Sequence, residues 1–262
     1  MKKVDRVNKR TMNSAKKELC MKRVLFVFAM ICVLGSLVAL ESAPSEVVGY
    51  VKIEAAPNVY TAISLPLEVD GMMVSEVFSD NSGTPMITGG VNPVYSDQIQ
   101  QIGGGGSAWY NSATNQWVGD FVVDVTKAYY AIIRNDHPAV DLYVCGVYDN
   151  TTIVTYDDIL ANVYTPVGFR EAGSVNASEL GLMDAGFTGG PNPVLSDQIQ
   201  QIGGGGSAWF NTGTGLWVGD FELTPGAAYY LVIREGHPGL SGYQYPNASS
   251  DDFTNKSRKH KR

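Results

Sequence analysis

Three side chains able to exchange protons recur at a fixed interval: Asp97, Asp120 and His137, then Asp197, Asp220 and His237 one hundred residues later. Two carboxyls about 5–9.5 Å apart across a sugar-binding cleft, one with a raised pKa, would make a glycosidase. A bland role competes with that reading. Asp97 follows Ser96 and Asp120 follows Gly119, positions suited to side-chain hydrogen bonds in turns, and His137 precedes Pro138 where a strand ends. A complete catalytic set in both copies would also be unusual, so structural roles are the expectation for all six. The glycine runs 103–106 and 203–206 lack the Lys-Ser/Thr of a phosphate-binding loop, being followed by Ser-Ala-Trp, and read as hairpin turns. Ser107 is no nucleophile elbow either, because Trp109 stands where that motif requires glycine. No Cys/His cluster has zinc spacing, and the acids near Asp149, Asp157 and Asp158 lack calcium-loop order, so neither metal nor cofactor is expected.

Aromatic residues offer a second kind of chemistry. Trp109, Trp117 and Tyr130, repeated as Trp209, Trp217 and Tyr230, are candidates for platforms on which sugar rings stack. The competing reading places the same rings in the core. Tyr129 and Tyr130 must face opposite sides of a regular strand, so only one of them can serve either surface.

These residues sit in a duplicated framework. Residues 88–138 match 188–238 at 34 of 51 positions without a gap, and Asn58-Val59-Tyr60-Thr61 recurs as Asn162-Val163-Tyr164-Thr165. A unit near 100 residues is long enough to bury its own core. The expected architecture is mainly β: two tandem homologous modules, 45–139 and 140–245, each an antiparallel sandwich or barrel-like fold, with two halves of one sandwich as the alternative. Strands are predicted over 47–54, 60–67, 98–102, 107–111, 116–121 and 128–134, and one helical turn each over 74–78 and 177–182. The loop Thr224-Pro225-Gly226 is a strong turn signal, whereas its counterpart Val125-Thr126-Lys127 lacks both residues, so the turn types are expected to differ. Cys145, in an apolar stretch, is expected to be a small buried hydrophobe.

The order of motifs carries a resemblance. A Val-Gly-Tyr-Val strand (48–51), an apolar strand ending in Pro66, a Ser-Glu-Val turn, Ser-Asp-Gln-Ile, two tryptophans and Pro-Gly-x-Ala-Tyr-Tyr follow one another after an export signal. This resembles secreted bacterial tandem β-repeat proteins of unknown function, known mainly from Verrucomicrobia-like and related lineages. The resemblance implies an exported β-rich module and supplies no catalytic residue. The first copy departs from it at Val125-Thr126-Lys127.

Charge divides the chain. The first 43 residues hold nine Lys/Arg and the last seven hold five, while residues 44–255 carry 23 acidic side chains against five basic ones, a net of −18. Such a body repels nucleic acid and anionic lipid. Lys22-Arg23 followed by the uncharged apolar run 24–40 reads as a leader, residues 1–43, either a cleaved signal peptide or an uncleaved signal-anchor helix. Met21 is an alternative start, and residues 246–262 read as a disordered basic tail. The expected location is extracellular or in the cell envelope. The leading expectation is a non-enzymatic structural or adhesion protein that can self-assemble or bind other envelope proteins, followed by a carbohydrate-binding protein and then a secreted hydrolase. Expected partners thus include polysaccharide but not nucleic acid, with membrane contact only through the N-terminal segment.

Overall fold

The computed structural model describes residues 48–147, 153–170 and 175–245, within a compact unit comprising residues 47–262. The expected leader, its apolar segment and the basic tail lie outside the described residues. No helix among the described residues is long and apolar enough to cross a membrane.

The fold is mainly β, with two similar sets of antiparallel sheets. In the first half β1 (Val48–Ala55), β2 (Tyr60–Ile63) and the one-turn helix α1 (Val74–Val77) precede β3 (Gln98–Gln101), β4 (Ser107–Asn111), β5 (Gln116–Val118), β6 (Tyr129–Ile132) and β7 (Val140–Val147). The second half contains β8 (Val154–Thr155), β9 (Tyr164–Gly168), β10 (Val175–Asn176), β11 (Gln198–Gln201) and β12 (Ser207–Asn211). It ends with β13 (Leu216–Val218), β14 (Glu222–Leu223), β15 (Ala228–Val232) and β16 (Gln244–Tyr245). The five-stranded sheets run β2-β6-β3-β4-β5 and, as its counterpart, β9-β15-β11-β12-β13. The ribbons β1-β7 and β8-β16 complete the two sets, and β10 pairs with β14.

Period-two patterning explains the layers. On β6, Tyr129 and Ala131 are fully buried, with Ile63, Ile99 and Ala108 beside them on one face of the sheet. Ala55, Leu142 and Val144 come from the ribbon into the same core, and Val74, Val77 and Phe78 from α1 and the residue after it. A separate core in the second half centres on Val167, Ile199, Ala208, Tyr229 and Leu231. Strand alternation also corrects the reading of Cys145. Leu142 and Val144 point inward, so Tyr143 and Cys145 point out, and the thiol is exposed.

Several strands are shorter than predicted. The fifth predicted strand stops at Val118 instead of Phe121 because Gly119 turns the chain at φ 71°, its Cα so close to Ser107 that a Cβ would lie 2.2 Å from that carbonyl oxygen. The second stops at Ile63, where Ser64 N donates to Gly226 O of the other repeat instead of continuing. The two turns before β6 and β15 do differ. Both close with a bond from the fourth residue to the first, Lys127 N to Asp124 O and Ala227 N to Thr224 O. Only Gly226 takes a positive φ, 83°, at the third position, and Asp124 Oδ1 instead accepts from Thr126 N and Oγ1 in the first repeat. Although period counting puts residues 140–147 at the head of the second repeat, β7 pairs with β1 along its whole length and fills the first core.

Candidate functional site

Asp97 is fully buried, and every bond it makes is structural. Its Oδ1 accepts from Arg134 N at 2.8 Å and His137 Nδ1 at 2.7 Å, and its Oδ2 accepts from Thr88 N at 2.8 Å. A carboxylate only accepts, so His137 carries its proton on Nδ1. The same set recurs at Asp197 with Arg234 N, His237 Nδ1 and Thr188 N, at 2.8, 2.7 and 2.7 Å. Each clip ties the segment entering the first hairpin (β3 or β11) to the exit of β6 or β15. Its Asp–His Nδ1 bond has the pattern of the orienting acid and base in a hydrolytic triad, but here both side chains are spent on closing the loop. The neighbouring serines serve elsewhere, Ser96 Oγ donating to Asn92 O at 3.0 Å and Ser107 Oγ to Gln98 Oε1 at 3.2 Å.

Asp120 and Asp220 are helix caps supplied by a distant loop. Asp120 accepts from Ser75 N at 3.0 Å and Ser75 Oγ at 2.6 Å, and Asp220 from Ser178 N at 3.0 Å and Ser178 Oγ at 2.7 Å. They satisfy donors at the start of α1 and of the 3-10 turn Ala177–Glu179. Asp97 and Asp120 therefore hold different parts of the fold through different partners.

The tryptophans separate by face. Trp117 and Trp217 pack against the cores, edge-to-face with Tyr110 (6.1 Å) and Phe210 (6.3 Å) respectively. Trp109 and Trp209 lie on the opposite, outer faces of the two sheets. Trp109 is half-buried, whereas Trp209 is only 8% exposed. Equivalent positions thus carry the two rings, but neither is a freely open platform.

The outer faces bring together side chains of one chemical kind. Tyr130 and Ile132 of β6 flank Gln98 and Gln100 of β3, and Ser107 and Trp109 of β4 continue the row. In the second repeat Tyr230 and Val232 flank Gln198 and Gln200, followed by Ser207 and Trp209. On the edge strands, Ala62 and Pro166 lie opposite Tyr130 and Tyr230, while Tyr60 and Tyr164 lie opposite Ile132 and Val232. None of these residues carries a carboxylate, ammonium, guanidinium or imidazole group. Tyr60 and Tyr130 meet edge-to-face at 5.4 Å, and Tyr164 and Tyr230 at 5.6 Å, both at 88°. The phenols of Tyr130 and Tyr230 approach each other across the repeats. Burial, then that neighbouring phenol, pushes the Tyr230 phenol up to about 12.

Tyr60 and Tyr164, 60% and 55% exposed, are the rings of this cluster most open to solvent, and they were not among the candidates drawn from the sequence. The repeated Asn-Val-Tyr-Thr carried their signal. It was legible as duplication, but edge position and exposure depend on which strands lie beside β2 and β9.

A concavity of about 570 Å³ lies where residues 68–71 and 122–126 meet residues 153–155 and Arg170. Its charges include Glu68, Asp70, Asp124 and Arg170, the last 3.8 Å from Glu68. It has no counterpart of the duplicated aromatic pattern.

Comparison of the chain with protein-family models, curated proteins and solved structures finds no match.

Proposed function

We propose that this chain is a non-enzymatic adhesion protein of the cell envelope or extracellular space, presenting both repeats as one binding surface. The observation that supports the reading is the contrast between its two sets of duplicated residues. The acid and base side chains close loops and cap helices in both copies, whereas the outer faces, built from tyrosine, glutamine, serine and tryptophan, approach each other at Tyr130 and Tyr230 and leave Tyr60 and Tyr164 in solvent. Two equal sites on one body gain avidity toward a repetitive surface even when each is weak.

Fractionation of the cells that make the protein tests this. The chain is expected to sediment with the envelope and to stay there through a high-salt wash, since uncharged contacts are not screened. Recovery wholly as freely diffusing protein would overturn the reading.

A further inference from the structure

We infer that the joined outer faces form a glycan site, in which Tyr60 and Tyr164 stack on the rings of an uncharged polysaccharide on either side of the Tyr130–Tyr230 contact. The inference rests on the adhesion reading and names the ligand for it.

Ring geometry gives the first support. A solvent-exposed tyrosine on an open sheet normally samples several rotamers, and ordering it on binding costs affinity. Here the 88° edge contacts with Tyr130 and Tyr230 hold Tyr60 and Tyr164 in place beforehand. The exposed ring area is apolar in its face and polar at its hydroxyl, which suits a sugar whose C–H groups form one face and whose hydroxyls rim it. Stacking of this kind does not read chain direction, so the two duplicated platforms can engage the same type of polymer.

Polar groups around the rings give the second. Gln98, Gln100 and Gln200 present amides, which both donate and accept, as sugar hydroxyls require, while Gln198 is buried behind Gln200. The amides are themselves ordered: Gln98 Nε2 donates to Pro93 O at 2.6 Å and Gln200 Nε2 to Gln198 Oε1 at 2.5 Å.

Charge selects among glycans. The face residues are uncharged, and the guanidiniums at their margin, Arg134 beside Gln98 and Arg234 beside Gln198, are tied to the carbonyls of Pro93 and Ser96 and of Pro193 and Ser196; the surrounding residues 44–255 have a net charge of −18. A polyanion such as a uronic-acid polymer would meet the repulsion of this body, against which stands only one arginine per face, each already engaged with backbone carbonyls. A neutral chain meets none.

Native affinity electrophoresis of the full-length protein tests the site, with neutral polysaccharides (a β-glucan, a xylan, a mannan) or polygalacturonate cast into the gel. Retardation is expected in at least one neutral gel and not by polygalacturonate. Tyr60→Ala or Tyr164→Ala should weaken it about tenfold, the scale of one aromatic contact, and the double variant should abolish it. Tyr60→Phe should retain binding, because the ring face remains. Both side chains are more than half exposed, so the melting temperature should barely change and misfolding would be recognised. Undiminished retardation of the double variant, or retardation by polygalacturonate alone, would overturn the site. Absence of retardation in every gel by a protein that still sediments with envelopes would overturn the glycan inference and leave the adhesion reading standing. A protein that does neither overturns both.

Discussion

Asp97 shows how a residue that looks catalytic becomes structural. Three donors converge on one fully buried carboxylate, and two of them, Arg134 N and His137 Nδ1, come from some forty residues downstream. Truncating it to alanine strands those donors in the interior, so Asp97→Ala should lower unfolding free energy by about 2–4 kcal/mol. Urea denaturation measures this, and a change below about 0.5 kcal/mol would mean that water replaces the carboxylate at little cost. The turn-bonding habit of Ser-Asp was visible in the sequence, but the His137 partnership was not, because only tertiary closure brings β6's exit to that turn. Two tyrosines make the stability depend on pH. Burial raises Tyr129 to about 12, and burial with the neighbouring Tyr130 phenol raises Tyr230 to about 12. Their unfolded-state value is about 10. Their contribution is fully present below about pH 10 and is lost as pH rises toward about 12, since the unfolded chain releases protons that the folded one keeps. Urea midpoints should therefore fall between about pH 9.5 and pH 11.5, and phenolate absorbance of the folded protein should show a late-titrating component. Folded-state absorbance that titrates wholly near pH 10 would contradict this.

Strand identity was readable from alternation, whereas strand length was set by contacts with other strands. Tyr129 and Tyr130 divided between core and outer face as alternation required. The run to Phe121, by contrast, had every local mark of continuing, and Gly119 broke it because the Ser107 carbonyl sits where a side chain would start. Gly219 repeats this, at φ 68° with Ser207 O 2.3 Å from a built Cβ. Gly119→Ala thus combines positive-φ strain with a backbone clash, and should destabilise the first repeat by about 2–4 kcal/mol. Gly104→Ala is the control, with a positive φ of 99° but no atom within 4 Å of a built Cβ. It should cost only about 1 kcal/mol. Equal losses in the two variants, measured by chemical denaturation, would show that φ alone governs Gly119. The edge position of Tyr60 follows the same logic: its strand was predicted, but the strand order that exposes its ring was not legible.

The duplication predicted two modules, and it left open whether they fold independently. Each repeat has its own core, yet equivalent atoms are exchanged between them. Ser64 N donates to Gly226 O at 2.8 Å, and Gly168 N, which follows Val167 as Ser64 follows Ile63, donates to Thr126 O at 3.0 Å. A contact in which each partner uses the same patch on the other is what a two-fold axis produces. Val154 packs against both cores, which adds an apolar link. Repeats coupled in this way should unfold together, giving a single calorimetric transition for residues 47–262. Gly168 is the place to break the coupling. A built Cβ there would lie 2.7 Å from Lys127 O, 2.8 Å from Ser64 Cβ and 3.0 Å from Val125 O, all belonging to the other repeat. Because two of these atoms are backbone, the repeats must separate slightly to admit a methyl group. Gly168→Ala should therefore split the endotherm, or lower its midpoint by several degrees while leaving each core's aromatic near-UV signal intact. It should also weaken retention on envelopes, since the Tyr130–Tyr230 contact spans the same junction. Two endotherms in the unmodified protein, or an alanine variant identical to it, would show that the repeats are neighbours without being partners.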